Sequence, residues 1–382
     1  MTPSKLTRRD LIAGATGATA MLAQASAAEP SKYPRDLTTA DFDRWMSELS
    51  NWGKWGKDDQ KGTINLITPA KRKAAAALVK EGFTVSASLD ADLPKEGTTD
   101  VPLGGGGGGG RGRGPGAPPA AGQAPPAAGA PPAGRAGGGG GGGRATWSLA
   151  SRPPGPDPRP LAAYVVDTIS TSYHGNNTTH LDALSHIYFK GQVYNGYSQT
   201  SYTDRGAGKD DVMAFKDGIF TRGVLYDIPK LKGVPYLGDD EPIYVEDLEA
   251  WEKKAGFKLE SGDAMLVRTG RWVRVREKGQ FNMNQFTPGL YASTLKWMRE
   301  RGVAILGSDV VQDVRPSRIE NVNQPIHQLG LQAMGMPLID NADLDALAEA
   351  AAQRKRWTFL LTINPLRIPG ATGGPINPIC VF

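Results

Sequence analysis

The sequence lacks several features that metal-thiolate, membrane and nucleotide-binding proteins require. Of its 382 residues one is a cysteine, Cys380, which excludes an internal disulfide and a thiolate metal cluster. No apolar run is long enough to cross a bilayer as a stable helix. Internal repeats, a phosphate-binding loop and a dinucleotide-binding glycine pattern are also missing. We therefore expect no membrane partner, and any metal must be held by His, Asp, Glu or Asn.

The formal net charge is +5, but this excess does not indicate a nucleic-acid partner. Lys5, Arg8 and Arg9 lie near the N-terminus, and further arginines lie in a glycine-rich tract at residues 104–144. The rest of the chain is close to neutral, and no basic helix or face stands out. The expected partner is a small-molecule substrate.

The N-terminus has the order of features typical of a twin-arginine export signal. The Arg8-Arg9 pair is followed by an Ala/Gly-rich apolar run to Ala23 and then by a small-x-small cleavage pattern at residues 25–27. The alternative is an ordinary disordered N-terminus with a chance arginine pair. We predict a signal over residues 1–27 and export to the periplasm.

Composition divides the remaining chain into two ordered parts around one insertion. Residues 104–144 are almost purely Gly, Pro, Ala and Arg, so they cannot bury apolar surface and are predicted to be a disordered insertion. Residues 111–114 faintly resemble RNA-binding arginine/glycine segments, but a tolerated surface loop is the simpler interpretation. Residues 28–103 and 145–382 are then expected to form one catalytic domain.

Strand and helix patterns alternate along the ordered parts. Strands are predicted at residues 83–89, 224–228, 264–268, 303–306 and 359–363. Helices are predicted at residues 69–81, 245–255, 290–301 and 342–353, the first opening at a proline. This alternation indicates an α/β fold with a mixed sheet.

Three of the four histidines fall within residues 174–186, which is the most informative pattern in the chain. In an extended segment, alternate side chains share one face, and that face would carry His174, Asn176, Thr178, His180 and Asp182. If a helix then began at Asp182, His186 would lie one turn away on the same side. Imidazole and oxygen ligands without sulfur suit zinc or manganese. A single histidine is more often a core residue, and His174 is either a ligand or a residue that orients one.

Residues 179–186, followed by Asn195 and Gly196, resemble the metal-site signature of the cyclase family, which includes bacterial kynurenine formamidase and isatin hydrolase. The likeness runs from about Trp52 to Phe382 apart from the insertion, and it includes residues 51–56, 63–69, 325–329, 334–341 and 364–378. The resemblance implies a curved mixed sheet or small barrel flanked by helices. It also implies a homo-oligomer, a dimer or a tetramer.

The resemblance also implies roles for individual residues. His180 and Asp182 match metal ligands, and His327 and Asp340 match a downstream histidine and an acidic ligand. His186 matches a histidine that transfers protons or binds a second metal.

One position departs from the family signature. The first family histidine aligns with Asn176, and a Gly-Thr pair is replaced by Thr178-Thr179. An amide oxygen is a poorer zinc ligand than imidazole. Either Asn176 binds weakly, or His174 substitutes for the missing histidine, or the metal differs. We interpret the departure as a trait of a long-form subfamily.

The implied activity is metal-dependent hydrolysis of an amide, a cyclic amide or a lactone, of the arylformamidase type known from tryptophan catabolism, with His186 as the general base. One alternative is a metal-dependent cyclase or dehydratase acting on a small acid. Another is a non-catalytic periplasmic binding protein of the same fold.

Substrate contacts are expected from residues near this cluster. Tyr173, Trp52 and Trp55 are candidates to line an aromatic pocket, although burial in the core explains them equally well. Asp309 and Asp313 follow a buried strand and are candidates to contact substrate or to hold loops of the site; local turn roles are the alternative. Arg268 and Arg271 either clamp a product carboxylate or form structural pairs.

Overall fold

The computed structural model describes residues 32–90, 146–152 and 164–382. The predicted export signal at residues 1–27 and the glycine-rich insertion at residues 104–144 lie outside the described residues, so both stay predictions. No helix in the described ranges combines the length and apolar character needed to cross a membrane.

Short helices and strands alternate through the described chain. The helices are α1 Thr39–Glu48, α2 Pro69–Ala76, α3 Ile228–Lys232, α4 Val245–Ala255, α5 Arg271–Lys278, α6 Thr294–Arg301, α7 Pro325–His327 and α8 Asp345–Arg354. The strands are β1 Thr84–Ser86, β2 Thr146–Arg152, β3 Tyr164–Ser170, β4 His180–Asp182, β5 Tyr202–Thr203, β6 Gly206–Ala207, β7 Ile219–Asp227, β8 Pro242–Ile243, β9 Ala264–Arg268, β10 Gly289–Leu290, β11 Ile305–Ser308, β12 Leu338–Asp340, β13 Thr358–Ile363, β14 Gly373–Pro375 and β15 Ile379–Val381.

Nine of these strands form one mixed sheet in the order β1-β15-β13-β7-β9-β11-β12-β4-β14. The strands from β7 to β12 run parallel, and the strands on both flanks pair antiparallel. The sheet curls into a half-barrel flanked by helices, which confirms the predicted α/β fold with a curved mixed sheet. The parallel strands are buried along nearly their whole length, as expected when helices cover both faces.

Local sequence signals explain where several helices begin and end. Helix α4 begins after Tyr244, whose backbone N–H donates to Asp247 Oδ2, and it ends at Gly256, which has a φ of 75°. This helix matches its prediction. Helix α2 begins at Pro69 as predicted, because Thr68 accepts a hydrogen bond from the first turn, but it ends at Ala76.

Three predicted helices are longer than the observed ones, each for a local reason. The prediction for residues 69–81 continues beyond Ala76, where the chain turns toward β1. The prediction for residues 290–301 overlaps β10, because residues 289–290 pair with β8 instead. The prediction for residues 342–353 begins early. The backbone N–H of Ala342 donates to Ser308 O and holds the chain beside the end of β11, so the helix begins later.

The N-terminal segment packs closely beneath the strand that carries Asp340. Thr63 donates its backbone N–H to the carbonyl oxygen of Gly335, three residues before β12. A Cβ atom on Gly62 would lie 1.9 Å from that same oxygen, so only glycine allows this approach. The segment around residue 63 therefore supports the start of β12 directly.

Candidate metal centre

Three neighbouring strands place the first polar groups of the site. Strand β4 lies between β12 and β14, and Asp340 on β12 is the partner of His180 on β4. His180 and Asp182 lie two residues apart on β4, so their side chains share a face, as predicted. The site is thus built where strands meet in the sheet.

The backbone on either side of β4 differs from the prediction. Residues 174–178 form a series of bends, so the predicted extended face does not reach back to His174. Residues 183–186 form a turn in which the N–H of His186 donates to the carbonyl of Ala183, so the helix considered from Asp182 onward does not form. Bends and a short turn, rather than a long strand and a helix, bring the side chains of His174 and His186 toward Asp182.

Asp182 lies at the centre of a ring of imidazole side chains. Its Oδ1 atom lies 2.9 Å from His174 Nδ1 and 3.4 Å from His180 Nε2. Its Oδ2 atom lies 3.6 Å from His327 Nε2 and 3.9 Å from His186 Nε2. All four histidines of the sequence therefore converge on one fully buried carboxylate.

The orientation of His180 is fixed by a backbone carbonyl. Its Nδ1 atom donates a hydrogen bond to Thr178 O over 2.8 Å. Because Nδ1 carries the proton, a neutral His180 presents the lone pair of Nε2 to Asp182 Oδ1. Two electron-rich atoms then face each other at 3.4 Å and require a positive charge between them.

His327 is oriented by a carboxylate in the same way. Its Nδ1 atom lies 2.5 Å from Asp313 Oδ2, and Asp313 Oδ1 accepts from the backbone N–H of Ile326. His327 Nε2 then faces Asp182 and lies 3.4 Å from Asp340 Oδ2. A carboxylate that holds the distal nitrogen of a histidine is a common support of metal-binding imidazoles.

The other oxygen of Asp340 is held by Gln312. Gln312 Nε2 donates to Asp340 Oδ1 over 3.1 Å and to Ile339 O over 2.6 Å. This leaves Asp340 Oδ2 directed at His327. Gln312 therefore fixes which oxygen of Asp340 enters the site.

Burial and charge shift the pKa values of these groups strongly. Burial disfavours the charged imidazole of His180, but the neighbouring Asp182 and Asp340 outweigh it and raise its pKa to about 9. Burial opposes the charge of His327 too, and Asp340 and Asp313 raise its pKa well above the usual range. Without another cation, the anionic groups thus draw protons onto these two imidazoles.

His186 differs from the other imidazoles in the sign of its shift. Burial, together with the neighbouring imidazoles, lowers the pKa of His186 to about 4, although Asp182 acts in the opposite direction. Its ring stacks on that of His174, with centroids 3.8 Å apart and planes at 10°. His186 also lines the adjacent cavity.

The donor atoms fit a divalent cation. Two groups have ligand atoms that all lie within 4.8 Å of one another: the first donor group is His174, His180 and Asp182, and the second donor group is Asp182, His327 and Asp340. Both oxygens of Asp182 are buried and, among the described residues, make no hydrogen bond of normal geometry, although the imidazole nitrogens approach them, His174 Nδ1 to 2.9 Å. Buried carboxylate oxygens are costly without a compensating positive charge, which a divalent cation between these donor atoms would supply.

The position of Asn176 bears on which residue takes the place of the missing family histidine. Asn176 lines the cavity beside His174 and His180, and its backbone oxygen accepts a hydrogen bond from Arg271. His174 is the residue whose ring nitrogen approaches Asp182, and its other nitrogen lies 3.0 Å from Thr372 Oγ1. The first donor group thus includes His174, in line with the interpretation that it substitutes for the missing family histidine.

A cavity of about 940 Å³ opens beside the donor groups. It is lined by imidazoles and by Asp340 on the metal side, and its other lining residues include Ile187, Val311, Ile319 and Val322 with Arg315 and Arg318. An apolar wall with a few polar groups is typical of small-molecule sites. The volume lies within the range of small-molecule sites.

Some residues that we expected to contact substrate lie elsewhere. Trp52, Trp55 and Asp309 are not among the residues that line this cavity. Trp52 Nε1 donates to Gln332 O, and Trp55 stacks beneath Lys54. Asp309 accepts hydrogen bonds from three consecutive backbone N–H groups, at residues 269–271, which is the turn role considered as its alternative.

Tyr173 is the aromatic candidate that remains next to the site. Its ring centroid lies 4.6 Å from that of His174 and 6.4 Å from that of His180. Burial and the charge of Asp182 raise its pKa. A substrate contact by Tyr173 stays a prediction.

The two arginines proposed as a carboxylate clamp are structural. Arg268 pairs with Asp227 at 3.0 Å and with Asp345 at 2.9 Å. Arg271 is buried and bonds to Asn341 and to backbone oxygens. The alternative of structural roles is therefore the correct one for both.

Two residues that support the site, Gln312 and Asn341, were not predicted from the sequence. Each follows a strand end that we had singled out: Gln312 comes three residues after Asp309, and Asn341 comes directly after Asp340. Their proximity to acidic residues at strand ends is the signal that would have found them.

We expect Asp313→Asn to weaken metal binding at the second donor group by about 10- to 100-fold, because His327 loses the carboxylate that orients it. Metal titration of the chelator-treated protein measures this effect. Asp204→Asn, on the exposed surface, is the control. Unchanged affinity in Asp313→Asn would show that the orientation of His327 does not matter to the ion.

Comparisons with known proteins agree with this architecture. The model of the Cyclase family matches residues 121–312, half of the chain. A crystal structure described as a novel cyclase is 27% identical, covers 87% of this chain and 100% of its own, and superposes with a TM-score of 0.68. No curated protein matches.

Two isatin hydrolases are more distant in structure. Isatin hydrolase A from Labrenzia aggregata, bound to benzyl benzoate, is 18% identical over 80% of this chain and 94% of its own, with a TM-score of 0.47. Isatin hydrolase A from Ralstonia solanacearum is 20% identical over 63% of this chain and 84% of its own, with a TM-score of 0.44.

Proposed function

This chain belongs to the cyclase family, and from that premise we propose that it is a metal-dependent hydrolase of an amide, a cyclic amide or a lactone. The observation that supports the proposal most is the convergence of four histidines on the buried carboxylate of Asp182 beside an open cavity. The solved structure described as a novel cyclase shares this fold.

The proposed ligands are the members of the two donor groups. His174, His180 and Asp182 hold one position, and Asp182, His327 and Asp340 hold the other. Zinc and manganese both accept imidazole and carboxylate ligands, so we propose one of these ions. A divalent cation bound there polarises a substrate carbonyl and makes a water molecule more acidic.

His186 is the proposed general base. It lines the cavity and lies 3.9 Å from Asp182, yet it belongs to neither donor group. During hydrolysis, His186 accepts the proton of the attacking water as the new C–O bond forms at the carbonyl carbon. It then gives that proton to the leaving nitrogen or oxygen as the scissile bond breaks.

The cavity wall holds the rest of the substrate. Ile187, Val311 and Ile319 offer apolar surface for a ring, which supports an aryl or cyclic substrate. Arg315 donates from Nη1 to Met283 O, and its guanidinium together with that of Arg318 supplies positive charge to the cavity. A hydrolytic product with a new carboxylate matches this charge.

The test is metal analysis followed by a substrate panel. Protein purified without chelator is expected to contain zinc or manganese and to hydrolyse at least one of N-formylkynurenine, isatin or a simple lactone. Chelator treatment should remove the activity, and the same metal should restore it. Metal-loaded protein that hydrolyses none of them favours a cyclase or dehydratase. Protein that neither contains metal nor takes it up favours the binding-protein alternative.

Two proposals concern the protein outside the site. We propose export through the twin-arginine route, which carries folded proteins and so suits an enzyme that binds its metal before export. We also propose a homo-oligomer, a dimer or a tetramer. Fractionation of cells and light scattering of the purified protein test these proposals independently of the chemistry.

A further inference from the structure

The loop that carries His174 is held by its backbone carbonyls. Asn341 Nδ2 donates to Gly175 O over 2.6 Å and to Thr178 O over 3.2 Å. Arg271 Nη2 donates to Asn176 O over 2.6 Å. Because residues 174–178 form bends rather than a strand, these bonds replace the ladder that would otherwise fix the loop.

Arg271 is an unusual residue to find in this place. Its side chain is 2% exposed, and among the described residues its hydrogen bonds end on uncharged oxygens: Asn341 Oδ1, Asp309 O and Asn176 O. A buried guanidinium without a carboxylate in direct contact costs stability relative to an apolar residue of similar size. Besides a cation–π contact with the Trp272 ring at 4.1 Å, the guanidinium spends its donors on Asn341, Asp309 O and the loop.

Arg271 and Asn341 are themselves held in place by other elements. Asp309 accepts the backbone N–H groups of Gly270 and Arg271, which anchors the start of α5 at the end of β11. Asn341 follows Asp340 directly and has a φ of 56°. Its carbonyl accepts a hydrogen bond from Thr179 Oγ1, one residue before His180. The pair therefore connects α5, β12 and the loop.

We infer that Arg271 and Asn341 form a buried clamp that positions the 174–178 loop so that His174 completes the first donor group. The inference rests on the proposed metal centre. The clamp contacts the loop that carries His174, whereas His327 is oriented by Asp313. Arg271 and Asn341 are positioning residues, since they act on the ion through His174. Loss of the clamp should therefore affect one metal position and spare the other.

The experiment compares metal titrations of chelator-treated variants, with no enzyme assay involved. In Arg271→Met the packing length is kept and the donors are lost, so the first metal position should weaken by about 10-fold or more. The second position should keep its affinity. Asp313→Asn is the matched control, because it should weaken the second position and spare the first. The unfolding temperature of the metal-free protein is measured for each variant.

A thermodynamic cycle with His174→Ala separates positioning from general stability. Once His174 is absent, Arg271→Met should cause no further loss of metal affinity, because the clamp has nothing left to position. Additive losses, or equal weakening of both positions, would overturn the inference. Arg271→Lys covers the case in which Arg271→Met does not fold: it keeps the charge but loses the planar fork, and wild-type affinity in that variant would also overturn the inference.

Failure of the clamp and failure of the proposed function have different signatures. If the wild-type protein binds metal at two positions and hydrolyses nothing, the proposed function is wrong and the clamp is judged on the titrations alone. If the wild-type protein binds no metal at the first position, the clamp is wrong as well.

Discussion

Asp182→Asn should remove metal from both positions at once, which is the largest effect expected from any single substitution in this protein. Asp182 is the one residue that belongs to both donor groups, with Oδ1 toward the first and Oδ2 toward the second. An amide keeps the shape but loses the charge and one acceptor. We expect metal content to fall to background in protein purified without chelator, as measured by mass spectrometry.

Variants of single donor groups and a surface variant are the controls for this result. His174→Ala and Asp340→Asn each remove a member of one donor group, so each should leave the other position occupied. Asp204→Asn removes an exposed carboxylate and should leave metal content unchanged. Wild-type metal content in Asp182→Asn would refute the shared-ligand assignment.

His186→Gln should abolish turnover while metal content stays at the wild-type level. Its imidazole belongs to neither donor group but lines the cavity, so its loss removes a proton acceptor rather than a ligand. Loss of a general base typically reduces kcat by about 10²- to 10⁴-fold. Steady-state kinetics on the substrate identified by the panel, together with metal analysis of the same preparation, measure both quantities.

The contact between His186 and His174 requires a control for this prediction. The two rings stack at 3.8 Å, so a smaller side chain at residue 186 would free His174 to move. Glutamine fills part of that space, and His186→Phe restores a ring without a titratable nitrogen. Both variants should retain metal and lack turnover. Full activity in either one would exclude His186 as the base, and loss of metal in both would make it a ligand.

Short-range patterns predicted one piece of local geometry correctly, the shared face of two candidate ligands. His180 and Asp182 share a face because β4 is a strand, and strand periodicity depends on neighbouring residues alone. The family resemblance added His327 and Asp340, which spacing could not place because they lie more than 140 residues further along. In the structure His327 Nε2 lies 3.6 Å from Asp182 Oδ2, and Asp340 Oδ2 lies 3.4 Å from His327 Nε2.

The regular elements considered on either side of β4 do not form, because long-range bonds determine the backbone there. The side chains of Arg271 and Asn341 bend residues 174–178 away from an extended path. The backbone of Ser185 donates to Asp210 O, which helps to hold the following turn in place of a helix. Local propensity contains no information about partners so distant in the sequence.

The contacts of the aromatic residues were also not predictable from local sequence. Trp52 was a pocket candidate because large aromatic side chains often line ligand sites. Instead, it packs against Gly196 and donates to Gln332 O, so it connects the N-terminal segment to these later parts of the chain. The sequence alone does not show which surface the Trp52 side chain contacts.

The most direct test of the central claim is anomalous diffraction from crystals of the full chain grown with zinc or manganese. We predict one anomalous peak in contact with His174, His180 and Asp182, and a second in contact with Asp182, His327 and Asp340. Crystals that contain the metal but show no peak at Asp182 would contradict it.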